Sequence, residues 1–158
     1  MKMKTKDYRI ISHLRKNARV PLTKLSRETN IPVSTIFDRI KANEENIIVR
    51  HTTLIDFSTL GFHTRAHILV KVSREFRAEA GNYLQKHPNI NSVFRINNGF
   101  DYMFEAVFRS IVELEGFIEK LDQKFKIEEK ETYYIVEDIK KEEFMAEPDL
   151  LSLVTDVK

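Results

Sequence analysis

The sequence predicts an α+β protein in two modules: a helix-turn-helix, with room for a wing, followed by a βαββαβ domain built on an antiparallel sheet. Three observations predict it. Apolar residues recur at helical spacing three times within the first fifty positions, and after residue 61 they switch between the two-residue period of strands and the 3.6-residue period of helices in the order β-α-β-β-α-β. Charge divides along the same line: residues 1–50 hold 12 Lys and Arg against 5 Asp and Glu, while residues 51–158 hold 14 against 19. The two parts therefore carry +7 and −5 within a net charge of +2. A positive head on a negative body expects the first module to face a polyanion and the second not to.

The first helix is read from Tyr8, Ile10, Ile11 and Leu14 on one stripe, with Asp7 in the first turn where the helix dipole favours a carboxylate. Pro21 suits the first position of a second helix, whose stripe starts at Leu22 and Leu25 and ends near Thr29-Asn30. A tight turn between helices needs a residue at positive φ, which Asn30 tolerates, and Ile31 returns to the core. In the third segment Val33, Ile36, Phe37 and Ile40 fit the i, i+3, i+4, i+7 template and are expected inward. The outward face then holds Ser34, Thr35, Asp38, Arg39 and Ala42, short polar groups with one arginine. Such a face suits the major groove of double-stranded DNA, where Ser34, Thr35, Asp38 and Arg39 would meet base edges and Arg19, Lys24, Arg27, Lys41 and Arg50 would meet phosphates. The alternative for Arg39 is a local pair with Asp38 or Glu44. Asn43 to Asn46 reads as a helix stop, and the β-branched run Ile47 to Leu54 reads as a strand, serving as wing or linker. Residues 1–54 thus form the DNA-binding module, and 55–61 a hinge.

In the second module, residues 62–141, Thr64, Ala66, Ile68, Val70 and Val72 alternate with His63, Arg65, His67, Leu69 and Lys71 as a half-buried strand over 62–72. Phe76, Ala80, Tyr83, Leu84 and His87 keep helical spacing until Pro88. Strands at 90–96 and 102–109 are joined by Asn97-Asn98-Gly99-Phe100, whose composition suits a tight hairpin. A helix with Leu114, Phe117, Ile118, Leu121 and Phe125 on one stripe precedes a fourth strand at 132–136. This is the ferredoxin-like split βαβ order, in which two helices cover one sheet face and the other stays open. The open face, with Arg65, His67, Leu69 and Glu105, is too mixed for a core and suits a two-fold homodimer contact. The tail, 142–158, carries Leu150, Leu151, Leu153, Val154 and Val157, expected as a short helix docking on a partner subunit.

Composition excludes much familiar chemistry. With no cysteine there is no disulfide, thiolate zinc site or cysteine nucleophile, and four glycines leave little room for a phosphate-cradling loop. His63 and His67 share a strand face but stand about 13 Å apart on an extended strand, too far for one metal ion within a chain. No nucleophile or acid/base cluster is evident, so a binding protein without cofactor, rather than an enzyme, is expected. No apolar run could span a membrane and the N-terminus lacks the apolar stretch of a signal peptide, which predicts a cytoplasmic protein.

Asp7, Ile10, Ile11, Leu14, Asn17, Ala18 and Arg19, then Arg39-Ile40 followed by Ile47-Ile48, the hinge pair Leu60-Gly61, and Gly99-Phe100-Asp101 form one set of phrases. On these the chain, from Asp7 to Ile139, resembles the Lrp/AsnC, or feast/famine, regulators. Departures fall at Asn30 and Asn46, where the family has glycine, at Pro32, where Ser or Thr caps the recognition helix, and at Asn97-Asn98 before Gly99. The resemblance implies a sequence-specific DNA-binding transcription regulator, a homodimer that assembles into higher even-numbered oligomers. It also implies an amino acid or other small ligand as effector, near the hairpin at Gly99, Asp101 and Tyr102. Two alternatives share the build: a ligand-independent architectural DNA-binding protein, and an enzyme of the siroheme decarboxylase type, whose His-Asn-Tyr and Asn-Leu-Trp-Phe phrases this chain lacks.

Overall fold

A computed structural model describes residues 3–155. The chain divides into two compact units, one made of residues up to Leu54 together with those from Ile139 on, the other of Ile55–Asp138. In the first unit, α1 spans Thr5–Lys16, α2 Leu22–Thr29 and α3 Val33–Asn46. Ile10, Leu25, Ile31 and Ile36 are buried together, one or more from each helix and the turn, and Leu14, Val20, Leu22 and Ile40 pack around them. The turn between α2 and α3 is made as its sequence predicts, with Asn30 left-handed at φ 55° and ψ 33°. Pro21 and Pro32 each stand one place earlier than a first helical residue, as N-caps with no side chain to accept a backbone N–H.

Two local expectations fail here. The helix continues through Asn43–Asn46, because Asn43 lies on the buried face of α3 and the Asn46 amide donates back to the Ala42 carbonyl at 2.7 Å, so Asn46 stays out of the left-handed region. Residues 47–54 form no strand, and Val49 is 96% exposed. β-Branched residues favour extended backbone, but a strand exists only where another edge takes its N–H and C=O groups.

The C-terminal segment returns to this unit. Pro148–Leu150 forms a 3-10 turn and α6 spans Leu151–Val154, with Ala146 and Leu151 buried. The expected docking on a partner is replaced by docking on the chain's own α1. Arg15 donates to the Glu142 carbonyl at 2.8 Å and to the Phe144 carbonyl at 3.1 Å, and Lys16 meets the Glu147 carboxylate at 2.9 Å. Val157 lies outside the described residues.

In the second unit β1 spans Thr64–Val72, α4 Arg77–Lys86, β2 Ile90–Arg95, β3 Tyr102–Phe108, α5 Ile111–Phe125 and β4 Ile127–Tyr134. The sheet order is β2-β3-β1-β4 with antiparallel neighbours throughout. In register, Ala66 faces Ala106 and Ile68 faces Phe104, so the covered side of the two central strands is continuous. Against it pack Ala80 and Leu84 of α4 and Leu114, Phe117, Ile118, Leu121 and Phe125 of α5. Ser110 caps α5 by accepting the Glu113 N–H. β4 begins at Ile127 rather than Thr132: as an edge strand it carries the charged run 128–131, whose Glu129 pairs with Lys71 at 2.8 Å, and charge hides it from a composition-based reading.

Candidate nucleic-acid interface

The orientation of α3 is set by one ion pair. Asp7, only 3% exposed, accepts the Lys4 backbone N–H at 2.9 Å and holds the Arg39 guanidinium through both carboxylate oxygens at 2.8 and 2.9 Å. Arg39 therefore pairs with neither Asp38 nor Glu44, and it is half-buried against α1 rather than free for a base edge. With Arg39, Ile36 and Asn43 turned inward, α3 is rotated by about 60° from the sequence expectation. Ile36 is fully buried and Ile40 partly so, but Val33 is 39% and Phe37 57% exposed, which corrects the inward assignment of both. The outward face is instead Ser34, Phe37, Asp38 and Lys41, again an i, i+3, i+4, i+7 set. Of the predicted readers, Ser34 and Asp38 lie on it, while Thr35 is half-buried and shares with Arg39 a cleft also lined by Lys4, Asp7, Asp38, Ala42 and Asn43.

The phosphate candidates Arg19, Lys24, Arg27, Lys41 and Arg50 are all exposed. Lys24 stands 3.8 Å from Glu28, but among the described residues no carboxylate lies within ion-pair distance of Arg19, Arg27, Lys41 or Arg50. Arg15 and Lys16, by contrast, are paired with Glu142 and Glu147 of the tail. Arg50 sits in the irregular segment after α3 rather than on a helix.

Burial alone would raise the Asp7 carboxyl, but the Arg39 guanidinium and the Lys4 N–H together hold it below the ordinary value of 3.8. A depressed carboxyl contributes stability that is complete above the unfolded-state value and is lost as pH falls through the folded one. The helical unit of the native chain is thus expected to lose stability below about pH 4, and the Asp7→Asn variant to lack this component. Thermal melts at steps from pH 5 to pH 2.5 test it; parallel pH profiles for the two proteins would contradict it.

In the second unit, Asn98 and Gly99 have φ of 65° and 94° and make the hairpin turn between β2 and β3, with open space around Gly99. Asp101 is already engaged: it accepts the Val72 N–H at 2.9 Å and stands 2.7 Å from the Arg77 guanidinium. Tyr102 donates its hydroxyl to the Arg77 carbonyl at 3.0 Å and fills the space over Gly81, where a Cβ would lie 2.5 Å from the phenol oxygen. The three residues meet at the start of β3, where two of them tie that strand to β1 and α4. On the open sheet face, Arg65 bridges Glu105 at 2.8 Å and Asp138 at 2.6 Å, and Asn91 donates to the other Glu105 oxygen. Asp138 first and Glu105 second raise the Arg65 guanidinium above its ordinary value, outweighing burial. Among the described residues no cluster of three His, Cys, Asp or Glu could hold a metal ion, and no helix is long and apolar enough to cross a membrane.

Both parts of the chain match known families. Residues 3–42 match the winged helix-turn-helix DNA-binding family, and residues 65–144 match the Lrp/AsnC ligand binding domain. The transcriptional regulator FL11 of Pyrococcus furiosus is 32% identical over 114 residues, which cover 72% of this chain and 76% of FL11. The solved structure of LrpC from Bacillus subtilis is 25% identical and superposes with a TM-score of 0.80, over 89% of this chain and 99% of LrpC. A transcriptional regulator of Neisseria meningitidis solved as a complex with L-Met shares the fold at 20% identity and a TM-score of 0.81, over 89% and 94% of the two chains. A sheet domain of the Lrp/AsnC type following in sequence a helix-turn-helix with exposed cations leads to one assignment: the chain belongs to the Lrp/AsnC family and is a DNA-binding transcription regulator.

Proposed function

We propose that this regulator works in the cytoplasm as a homodimer, extending to higher even-numbered oligomers, and acts by binding rather than catalysis. Its α3 enters the major groove, while Arg19, Lys24, Arg27, Lys41 and Arg50 contact phosphates. The observation that carries this reading is the exposed face of α3 in a unit where Arg19, Arg27, Lys41 and Arg50 are exposed with no carboxylate partner among the described residues. A phosphate contact gives affinity without base preference, so Arg27→Ala is expected to weaken all sequences alike and to lower the slope of log affinity on log salt by about 1. The same titrations with DNA fragments captured by the purified full chain decide the matter: a few recovered motifs support regulation, whereas uniform coating or no salt-dependent binding overturns it.

The dimer contact is the open sheet face, where Phe94, Met103 and Leu69 sit side by side across β2, β3 and β1, and Phe94 is 50% exposed. Leu69→Glu would bury an unpaired carboxylate in that contact and is expected to weaken self-association by roughly 100-fold, read as particle mass by light scattering. An amino acid or other small ligand is the effector, at Gly99, Asp101 and Tyr102. Its ammonium group would compete with Arg77 for Asp101, and the open space at Gly99 admits it. Repeating the DNA titrations with a panel of amino acids tests this, and an unchanged affinity with every one would remove the effector.

A further inference from the structure

The outward face of α3 is not the polar one its sequence predicts. Phe37, 57% exposed, stands at its middle, one turn from Ser34 and one from Lys41, with Val33 at 39% exposure on its flank. A large aromatic ring facing water on an otherwise well-anchored helix has no fold role: the core of this unit closes on Ile10, Leu25, Ile31 and Ile36 without it. Arg39, the residue best suited to bind guanine, is held by Asp7. What remains on the outward face for base readout is the Phe37 ring, with the Ser34 hydroxyl, the Asp38 carboxylate and the Lys41 ammonium around it. In the major groove the apolar feature on a base edge is the C5-methyl group of thymine.

Resting on the groove-docking reading above, we propose that Phe37 reads a pyrimidine C5-methyl group, so that recognition depends on a methyl contact rather than on an arginine-guanine pair. The charge pattern selects DNA as the occupant of this face. Arg19, Arg27 and Lys41 need a polyanion, and the carboxylate beside Phe37, Asp38, belongs to the short polar set that accepts from cytosine amino groups in the groove. The prediction is distinctive because thymine and deoxyuridine pair identically and differ only in that methyl.

The test uses the full chain and its best captured duplex, with each thymine replaced in turn by deoxyuridine. Burial of one methyl corresponds to about a fourfold change in affinity, so at least one position per half-site should weaken binding by about that factor. Phe37→Ala should bind the thymine and deoxyuridine duplexes equally while its circular dichroism matches the native protein, and Arg27→Ala should weaken both duplexes alike and keep the native discrimination. Placing cytosine or 5-methylcytosine at the sensitive position separates the methyl from the base: methylation should restore part of what cytosine loses. Methyl-insensitive binding by the native chain at every position, or a Phe37→Ala variant that keeps the discrimination, overturns the proposal while leaving DNA binding intact. A chain that binds no duplex specifically would instead overturn the groove-docking reading on which it rests.

Discussion

Replacing Arg39 with alanine is expected to destabilise the whole helical unit, by about 3 kcal/mol or more, and to abolish DNA binding at every sequence alike. The reason is geometric: Asp7 is 4% exposed at its side chain, and removing the guanidinium leaves a buried carboxylate without a counter-charge, held by the Lys4 N–H and the Asn43 side chain. Melting followed by helix signal should show an early transition absent from the native protein, and amide exchange should quicken across α1–α3. The double variant Asp7→Asn, Arg39→Met removes both charges at nearly constant volume and keeps an acceptor for the Lys4 N–H, and should regain most of the stability. It should also regain DNA binding, since Arg39 is held by Asp7 and lies off the outward face of α3. A folded Arg39→Ala protein that loses preference at a single G·C position would reverse the assignment and return Arg39 to the groove.

That pair also shows why sequence reasoning stopped where it did. The apolar periods of α1, α2, α4, α5 and β1 specify their buried sides, because a single stripe of Leu, Ile and Phe admits one inward direction. Asn30 was legible for a related reason, since few residues tolerate its backbone angles. In α3 two stripes compete. The set 33, 36, 37, 40 is the more apolar, but the set 36, 39, 40, 43 places Arg39 on a carboxylate and Asn43 beside it, and a charge pair fixed across 32 residues of sequence leaves no periodic signature. The one hint was Asp7, an acid that shares the i, i+3, i+4, i+7 stripe of α1 with Ile10, Ile11 and Leu14.

The tail and the effector positions were illegible for the same cause. A helix of four residues has no period to read, and its anchors, Glu142 and Glu147, look like solvent-facing charges until Arg15 and Lys16 are brought to them. Asp101 and Tyr102 likewise carry chemistry that fits a ligand, yet in the fold they close hydrogen bonds on Val72 and Arg77. A ligand at this hairpin would therefore act through the tie between β3, β1 and α4 rather than fill a vacant pocket.

Arg65→Ala is expected to produce the second large effect, a loss of about 3 kcal/mol in the sheet unit. Glu105 is 5% exposed on the side of the sheet that faces away from α4 and α5, and Arg65 neutralises it from the neighbouring strand, two residues along from its direct partner His67. Without the guanidinium, the buried carboxylate loses its opposite charge and keeps the Asn91 amide as a donor. A buried charge without its counter-charge costs more than a neutral carboxyl, so the penalty of Arg65→Ala should be smaller near pH 4 than at pH 7. Adding Glu105→Gln removes the charge that needed neutralising, and the double variant should recover part of the stability and lose the pH dependence. Denaturant unfolding of the four proteins at the two pH values completes the cycle. An Arg65→Ala penalty that is the same at both would mean that the arginine contributes by packing its stem on the sheet, and that Glu105 is neutralised from elsewhere.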